Sequence, residues 1–234
     1  SRIFFALRLQ PGDVAGVRSR AAIIMTIDVS GSMAGDKLEL AKDAGKRVLE
    51  LLSPEDVVGI YTFSDGVKTV APPSKIGDKV DALKAKIDKL EIIGGTNLFD
   101  ALKKSWRSAE SYSREYVARV ILLSDGNPTV GVTNVDSFAK EAKKAGERNI
   151  PFTCLGIGTD YNEKLLTAVA TNSNGYFEHI TDIWQIPNIF AMYASKALNV
   201  VARDIKVKIV PIKDAKIEVF GRPTSFENNN IVVN

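Results

Sequence analysis

Apolar and polar positions follow two rhythms along this chain. Ala21 to Ile27 is an apolar run, with Thr26 its one polar residue, and reads as a strand buried on both faces. Val57 to Phe63, Tyr116 to Ser124, Phe152 to Ile157 and a shorter run near Gly175 to His179 read as further strands. Between them the apolar residues recur at helical spacing. From Lys37 to Leu52, Leu38, Ala41, Ala44 and Val48 share one face and Lys42, Asp43, Lys46, Arg47 and Glu50 the other. Four-apart ion pairs Asp43–Arg47 and Lys46–Glu50 are expected on that outer face. Ile76, Val80, Leu83, Ile87 and Leu90 predict a second helix. Others are predicted at Leu98 to Tyr112, Val135 to Arg148, Asn162 to Thr171 and Ile183 to Val201, the last with Asp182 as cap and Pro187 in its first turn.

Alternation of strand and helix makes this an α/β chain with a doubly wound, mostly parallel six-stranded sheet and helices on both faces. One exception is expected at the edge. Only Ser64-Asp65-Gly66 separates Val57–Phe63 from a short apolar run at Val67–Val70, too few residues for a crossover, so that pair should be an antiparallel hairpin. The ends behave differently. Ile3 to Leu9 reads as a strand, and after Val201 the pattern turns to alternation at Ile205–Ile209, Lys216–Val219 and Ile231–Val233. The expected organisation is an α/β domain over 20–201. Segments 1–19 and 202–234 would form a small antiparallel β appendage into which that domain is inserted. A first residue that is not methionine and an end in mid-strand are expected of a piece cut from a longer protein.

The chemistry gathers where the first strand stops. Asp28, Ser30 and Ser32 put three oxygen-bearing side chains at alternate positions, and Gly31 and Gly35 permit a sharp turn before the next helix. Three oxygens on a tight strand-to-helix turn suit a hard divalent cation such as Mg²⁺, which takes six oxygens in near-octahedral geometry. Ligands in such sheets sit beyond the carboxyl ends of the strands where the winding reverses. Asp28 and Asp125 both lie at strand ends and would meet if their strands are neighbours.

Asp28-Val-Ser30-Gly-Ser32 resembles the D-x-S-x-S signature of the von Willebrand factor A domain. Gly94-Gly95-Thr96-Asn97 resembles that family's threonine loop, and Leu122-Leu123-Ser124-Asp125-Gly126 the strand end carrying its second aspartate. The resemblance covers about Ala21 to Ala197. It implies a metal-ion-dependent adhesion site in which Ser30 and Ser32 bind the cation directly and Thr96 directly or through water. Asp28 and Asp125 bind it or hold its waters. Mg²⁺ is the implied ion, with Mn²⁺ and Ca²⁺ as alternatives. The implied ligand is an Asp or Glu side chain of a partner protein, met by a rim of Gly95, Asn97, Gly126, Asn127 and Pro128. Ser124–Thr133 and the β-rich tail are most similar to bacterial and archaeal proteins of the inter-alpha-trypsin inhibitor heavy chain group. Some A domains shift their last helix on occupation, which here would move Ile183–Val201.

Composition narrows the functions. The apolar fraction of 45%, charged fraction of 25% and net charge of +3 are those of an ordinary globular protein and argue against an electrostatic nucleic-acid surface. No apolar run approaches the ~20 residues of a membrane-spanning helix. Cys154 is the only cysteine, which excludes an internal disulfide, fits a reducing compartment and reads as a buried inert thiol. Gly156-Ile157-Gly158 follows no phosphate-binding pattern and reads as close packing; His179 reads as structural, Trp106 and Trp184 as packing residues. The function implied by the resemblance and its metal constellation is a non-enzymatic, metal-dependent protein-interaction module. A metal-dependent hydrolase is the alternative, weakened by the lack of an evident general base, and a third is a subunit of an ATPase-linked assembly such as a metal chelatase.

Overall fold

A computed structural model describes residues 18–200 and, beyond them, the backbone of three short strands. Arg18–Asn199 forms one compact unit. Its strands are β1 (Ala21–Asp28), β2 (Val57–Phe63), β3 (Val67–Lys75), β4 (Val117–Ser124), β5 (Phe152–Ile157) and β6 (Tyr176–Ile180). They form one sheet in the order β3-β2-β1-β4-β5-β6, parallel throughout except for the antiparallel β2–β3 edge pair. The helices are α1 (Asp36–Leu51), α2 (Val80–Asp88), α3 (Leu98–Glu110), α4 (Val135–Gly146), α5 (Glu163–Asn172) and α6 (Ile186–Leu198).

Because β1 is central, all eight of its residues are buried, and its alternating side chains serve two cores. Ile23, Met25 and Ile27 pack with residues of α1, α2 and α6, while Ala22 and Ile24 pack with those of α3, α4 and α5. A full apolar side chain buried this way contributes ~1.5–3 kcal/mol. Thr26 and Asp28 are the polar residues of β1, and the Thr26 hydroxyl meets that of Ser105 on α3 at 2.6 Å.

Three expectations need correction. β3 runs on through Pro72 and Pro73 to Lys75, well past Val70. An edge strand can carry prolines because one side of it has no neighbour to bond, and register shifts at Val58–Ile60 and Ile60–Tyr61 absorb them. The four-apart pairs on α1 give way to other partners. Lys46 bonds Asp43 and Asp88 of α2, Glu50 takes Lys84 of α2, and Arg47 donates to Asn188 of α6. Trp106 is buried and donates to Glu141, but Trp184 is 65% exposed in a 3-10 turn (Ile183–Gln185) that precedes α6, with Asp182 accepting from its amide.

The C-terminal segment holds β7 (Val207–Ile209), β8 (Thr224–Glu227) and β9 (Asn230–Val233), an antiparallel sheet in the order β7-β9-β8. The expected strands at residues 3–9 and 216–219 lie outside the described residues.

Candidate functional site at the reversal point of the sheet

Register carries Asp28 and Asp125 to one place. Ile27 of β1 lies beside Leu123 of β4, so Asp28 reaches the level of Ser124 and Asp125 follows one residue beyond. β1 and β4 flank the point where the strand order reverses, with β2 and β3 on one side and β5 and β6 on the other. The crevice beyond those two strand ends is where such a sheet opens to a ligand.

The loop after β1 is held from below and from the side. Val29 donates its amide to Phe63 and its carbonyl receives Ile93 at 2.8 Å. A 3-10 turn over Gly31–Met33 drives the fully buried Met33 side chain into the core. Gly35, at φ 82°, then turns the chain into α1 through a conformation that favours glycine. Asp28 is bonded within this turn, its Oδ1 accepting the Ser30 amide at 2.9 Å and its Oδ2 the Ser124 hydroxyl at 2.7 Å. Ser30 Oγ lies 3.2 Å from Ser32 Oγ, and Ser32 Oγ donates to Asp125 Oδ1 at 2.6 Å.

Thr96 arrives on a separate loop. Gly31 donates its amide to Gly94 at 3.1 Å, tying that loop to the first. The Thr96 amide bonds the Thr129 hydroxyl at 2.9 Å, and its carbonyl takes the Thr129 amide at 3.0 Å. Gly126 sits between the loops. A β-carbon there would lie 3.5 Å from Ser32 Oγ and 3.9 Å from Thr96 Oγ1, so both hydroxyls face the same small space.

Asp28, Ser30, Thr96 and Asp125 are buried, whereas Ser32 is exposed and marks the open side. Burial pushes the Asp28 carboxyl up to about 6. Hydrogen bonds from Ser124 and Ser30 pull the other way, and the Asp125 charge adds to the rise. Asp28 thus has donors but, among the described residues, no cationic partner.

These donors fit a hard cation. Adjacent ligands of an octahedral ion at ~2.1 Å stand about 3 Å apart, and the Ser30 and Ser32 hydroxyls are 3.2 Å apart. Among the described residues no three His, Cys, Asp or Glu side chains cluster as a metal cage. A cation here would have neutral hydroxyls among its ligands, with Asp28 and Asp125 as the only carboxylates beside it among the described residues.

The rim is uneven. Asn127 is exposed and donates to the Asp160 carbonyl at 2.7 Å. Pro128 is buried. Gly95 donates its amide to Asp65 Oδ1 at 2.8 Å. Asn97 is buried and caps α3, accepting the Asp100 amide and donating to the Asp65 carbonyl, so it holds the loop from behind. Gly156 has no room for a β-carbon because the Tyr161 ring lies against it, 2.5 Å from where that carbon would be. Tyr161 in turn bonds His179 Nδ1. Cys154 is fully buried, which raises its thiol pKa strongly.

Three contributors escaped the reading of the sequence. Ser124 reads as the end of a strand, yet its hydroxyl holds Asp28. Asp65 reads as a turn residue, yet it clamps the threonine loop. Lys37 reads as the first residue of a helix, yet its ammonium bonds Asp125 Oδ2 at 2.5 Å.

Known proteins resemble this chain in sequence and in fold. The sequence model of the von Willebrand factor type A domain matches residues 22–191. The Escherichia coli (strain K12) protein YfbK is 28% identical over 190 residues, covering 80% of this chain and 33% of YfbK. Inter-alpha-trypsin inhibitor heavy chain H4 of Bos taurus is 32% identical over 167 residues, covering 68% of this chain and 18% of the heavy chain. The chain therefore spans a third or less of these relatives. Among solved structures, a von Willebrand factor type A protein from Catenulispora acidiphila superposes with a TM-score of 0.74 at 22% identity, over 82% of this chain and 46% of that one. Proximal thread matrix protein 1 of the mussel byssus, with zinc in its metal-ion-dependent adhesion motif, superposes with a TM-score of 0.66 at 22% identity, over 82% and 50%.

Proposed function

The chain belongs to the von Willebrand factor type A family, and we propose that it works as a metal-dependent protein-interaction module without a catalytic step. Asp28, Ser30, Ser32, Thr96 and Asp125 hold a divalent cation, and a carboxylate from a partner protein completes its coordination. The observation that carries this reading is the pair of hydroxyls 3.2 Å apart between two buried carboxylates, with the Thr96 hydroxyl facing the same space from a third loop. Neutral hydroxyl ligands leave the ion electrophilic, so an outside Asp or Glu gains more from it than it would from an ion caged by carboxylates. Hard oxygen donors favour Mg²⁺, with Mn²⁺ and Ca²⁺ as competitors and zinc as the ion seen in the mussel relative. Gly95, Gly126 and Asn127 form the surface met first by the partner; Asn97 and Pro128 support it. The binding module is the α/β domain expected over residues 20–201. No step of this function needs His179, whose ring is bonded to Tyr161 and to none of the five site residues.

Selection of displayed peptides against the immobilised protein in Mg²⁺ tests the reading. Recovered binders should carry an Asp or Glu that cannot be replaced by Asn or Gln, and should be released by EDTA and by Thr96→Ala. Specific binders that survive EDTA would overturn it.

A further inference from the structure

Lys37 occupies an electrostatically awkward position. It is the second residue of α1, where the helix presents its positive end and a cation is disfavoured. Its side chain nevertheless turns back over the preceding loop, with Nζ at 2.5 Å from Asp125 Oδ2 and 3.3 Å from the Ser32 carbonyl. The lysine side chain is 29% exposed and the aspartate it reaches is fully buried. A local preference violated at the mouth of a site is where a functional constraint is expected. Asp125 has its other oxygen on the Ser32 hydroxyl, so both oxygens already have partners before any ion arrives. Asp28, the other buried carboxylate, meets no such cation among the described residues and accepts the Ser124 hydroxyl and the Ser30 amide.

We propose that Lys37 is a resident competitor for the divalent cation. It rests on Asp125 when the metal is absent, yields that oxygen when the metal binds, and thereby lowers the affinity of the site. This inference rests on the reading of Asp28, Ser30, Ser32, Thr96 and Asp125 as the cation site. Its second consequence concerns the partner. A divalent ion over two carboxylates alone makes a neutral site, and Lys37 leaves that site one charge positive. The same residue that weakens the metal then strengthens the pull on an incoming carboxylate.

The test is direct titration with Mn²⁺, reading free ion by its electron paramagnetic resonance signal, on wild type, Lys37→Met, Lys37→Arg and Asp28→Ala. Removing a unit positive charge a few ångströms from a divalent ion should tighten binding by roughly 10-fold, so Lys37→Met should bind Mn²⁺ more tightly, and Lys37→Arg, which keeps the charge, no more tightly than wild type. Equal or weaker binding by Lys37→Met, with wild type binding and Asp28→Ala not, would overturn the role of Lys37 alone. Failure of wild type itself to bind, or unchanged binding in Asp28→Ala, would overturn the cation site beneath it. A second measurement needs no variant. Acetylation of Lys37 in the wild-type protein, followed by mass spectrometry, should rise when EDTA is replaced by Mg²⁺ while the other lysines stay constant. Unchanged reactivity at Lys37 would contradict its displacement.

Discussion

Asp56 and Asp28 are both buried carboxylates at the ends of the central sheet, and their surroundings differ. Asp56 lies at the end where β2 begins. It accepts from Arg18 at 2.5 Å, from the amides of Ala21 and Ser53 at 2.8 and 2.7 Å, and from the Ser53 hydroxyl at 3.0 Å. Burial alone would push its pKa up, but the Arg18 guanidinium and these hydrogen bonds outweigh that and hold it below the usual carboxylate range. Asp28 lies at the opposite end, where β1 finishes. Burial wins there and its pKa rises to about 6, because hydroxyl and amide donors compensate only part of the lost hydration. One carboxylate is complete within the chain and ties the entry of β1 to that of β2. The other remains short of positive charge, which in the proposed function a divalent cation supplies.

This contrast can be broken at either end. The largest effect is expected from Asp56→Ala, which strands the Ala21 and Ser53 amides and should lower stability by about 3 kcal/mol in urea unfolding. Its pH dependence has a definite sign. With a folded pKa below the unfolded value of about 3.9, the Asp56 carboxylate stabilises fully above that value. Its contribution is lost as the pH falls through the folded pKa. Asp56→Asn should therefore flatten the acid limb of a stability profile measured from neutral to acid pH; an unchanged limb would mean other carboxylates dominate.

Asp28→Asn should behave in the opposite way. In EDTA at neutral pH it removes an under-compensated buried charge, so stability should stay level or rise by about 1 kcal/mol. A loss as large as that of Asp56→Ala would erase the distinction between the two residues. Arg119 is a cationic counterpart on β4. It is 7% exposed, its Nε has no hydrogen-bond partner, its Nη1 donates to Thr153 at 3.2 Å, and burial lowers its pKa. Arg119→Met should change stability by no more than about 1 kcal/mol, with a gain expected; a loss of several would show that its stacking on Tyr176 dominates. The smallest stability effect belongs to Asp65→Ala, which unties the Gly95 amide. It should cost under about 1 kcal/mol of stability while weakening Mg²⁺ binding severalfold, because Thr96 follows Gly95 directly. Unaltered Mg²⁺ binding would remove Asp65 from the support of the site.

Much of the fold was legible because a parallel sheet covered on both faces imposes a pattern that helices and loops do not imitate. The runs at β1, β2, β4 and β5 could be read almost to the residue for that reason. Asp28, Ser30 and Ser32 were legible as neighbours on one turn, and Asp125 as a strand end beside them; Thr96 needed the family resemblance. Properties set by tertiary contact were hidden. The ion pairs of α1 cross to α2 because packing brings Asp88 and Lys84 nearer than the four-apart residues. Trp184 lies exposed because the chain enters α6 through a 3-10 turn that the apolar pattern does not announce. Lys37 and Ser124 look like a helix start and a strand end, and only the folded register shows that each touches a buried aspartate.

Thermal unfolding of wild type and Asp28→Asn, in EDTA and then in Mg²⁺, tests the central claim most directly. A cation at ten times its dissociation constant stabilises by ~1.4 kcal/mol, which for a domain of this size is a shift of roughly 3–6 °C. The account predicts that shift in wild type and its absence in Asp28→Asn, whose EDTA midpoint lies at or above that of wild type. No Mg²⁺-dependent shift in wild type, or the same shift in both proteins, would contradict it.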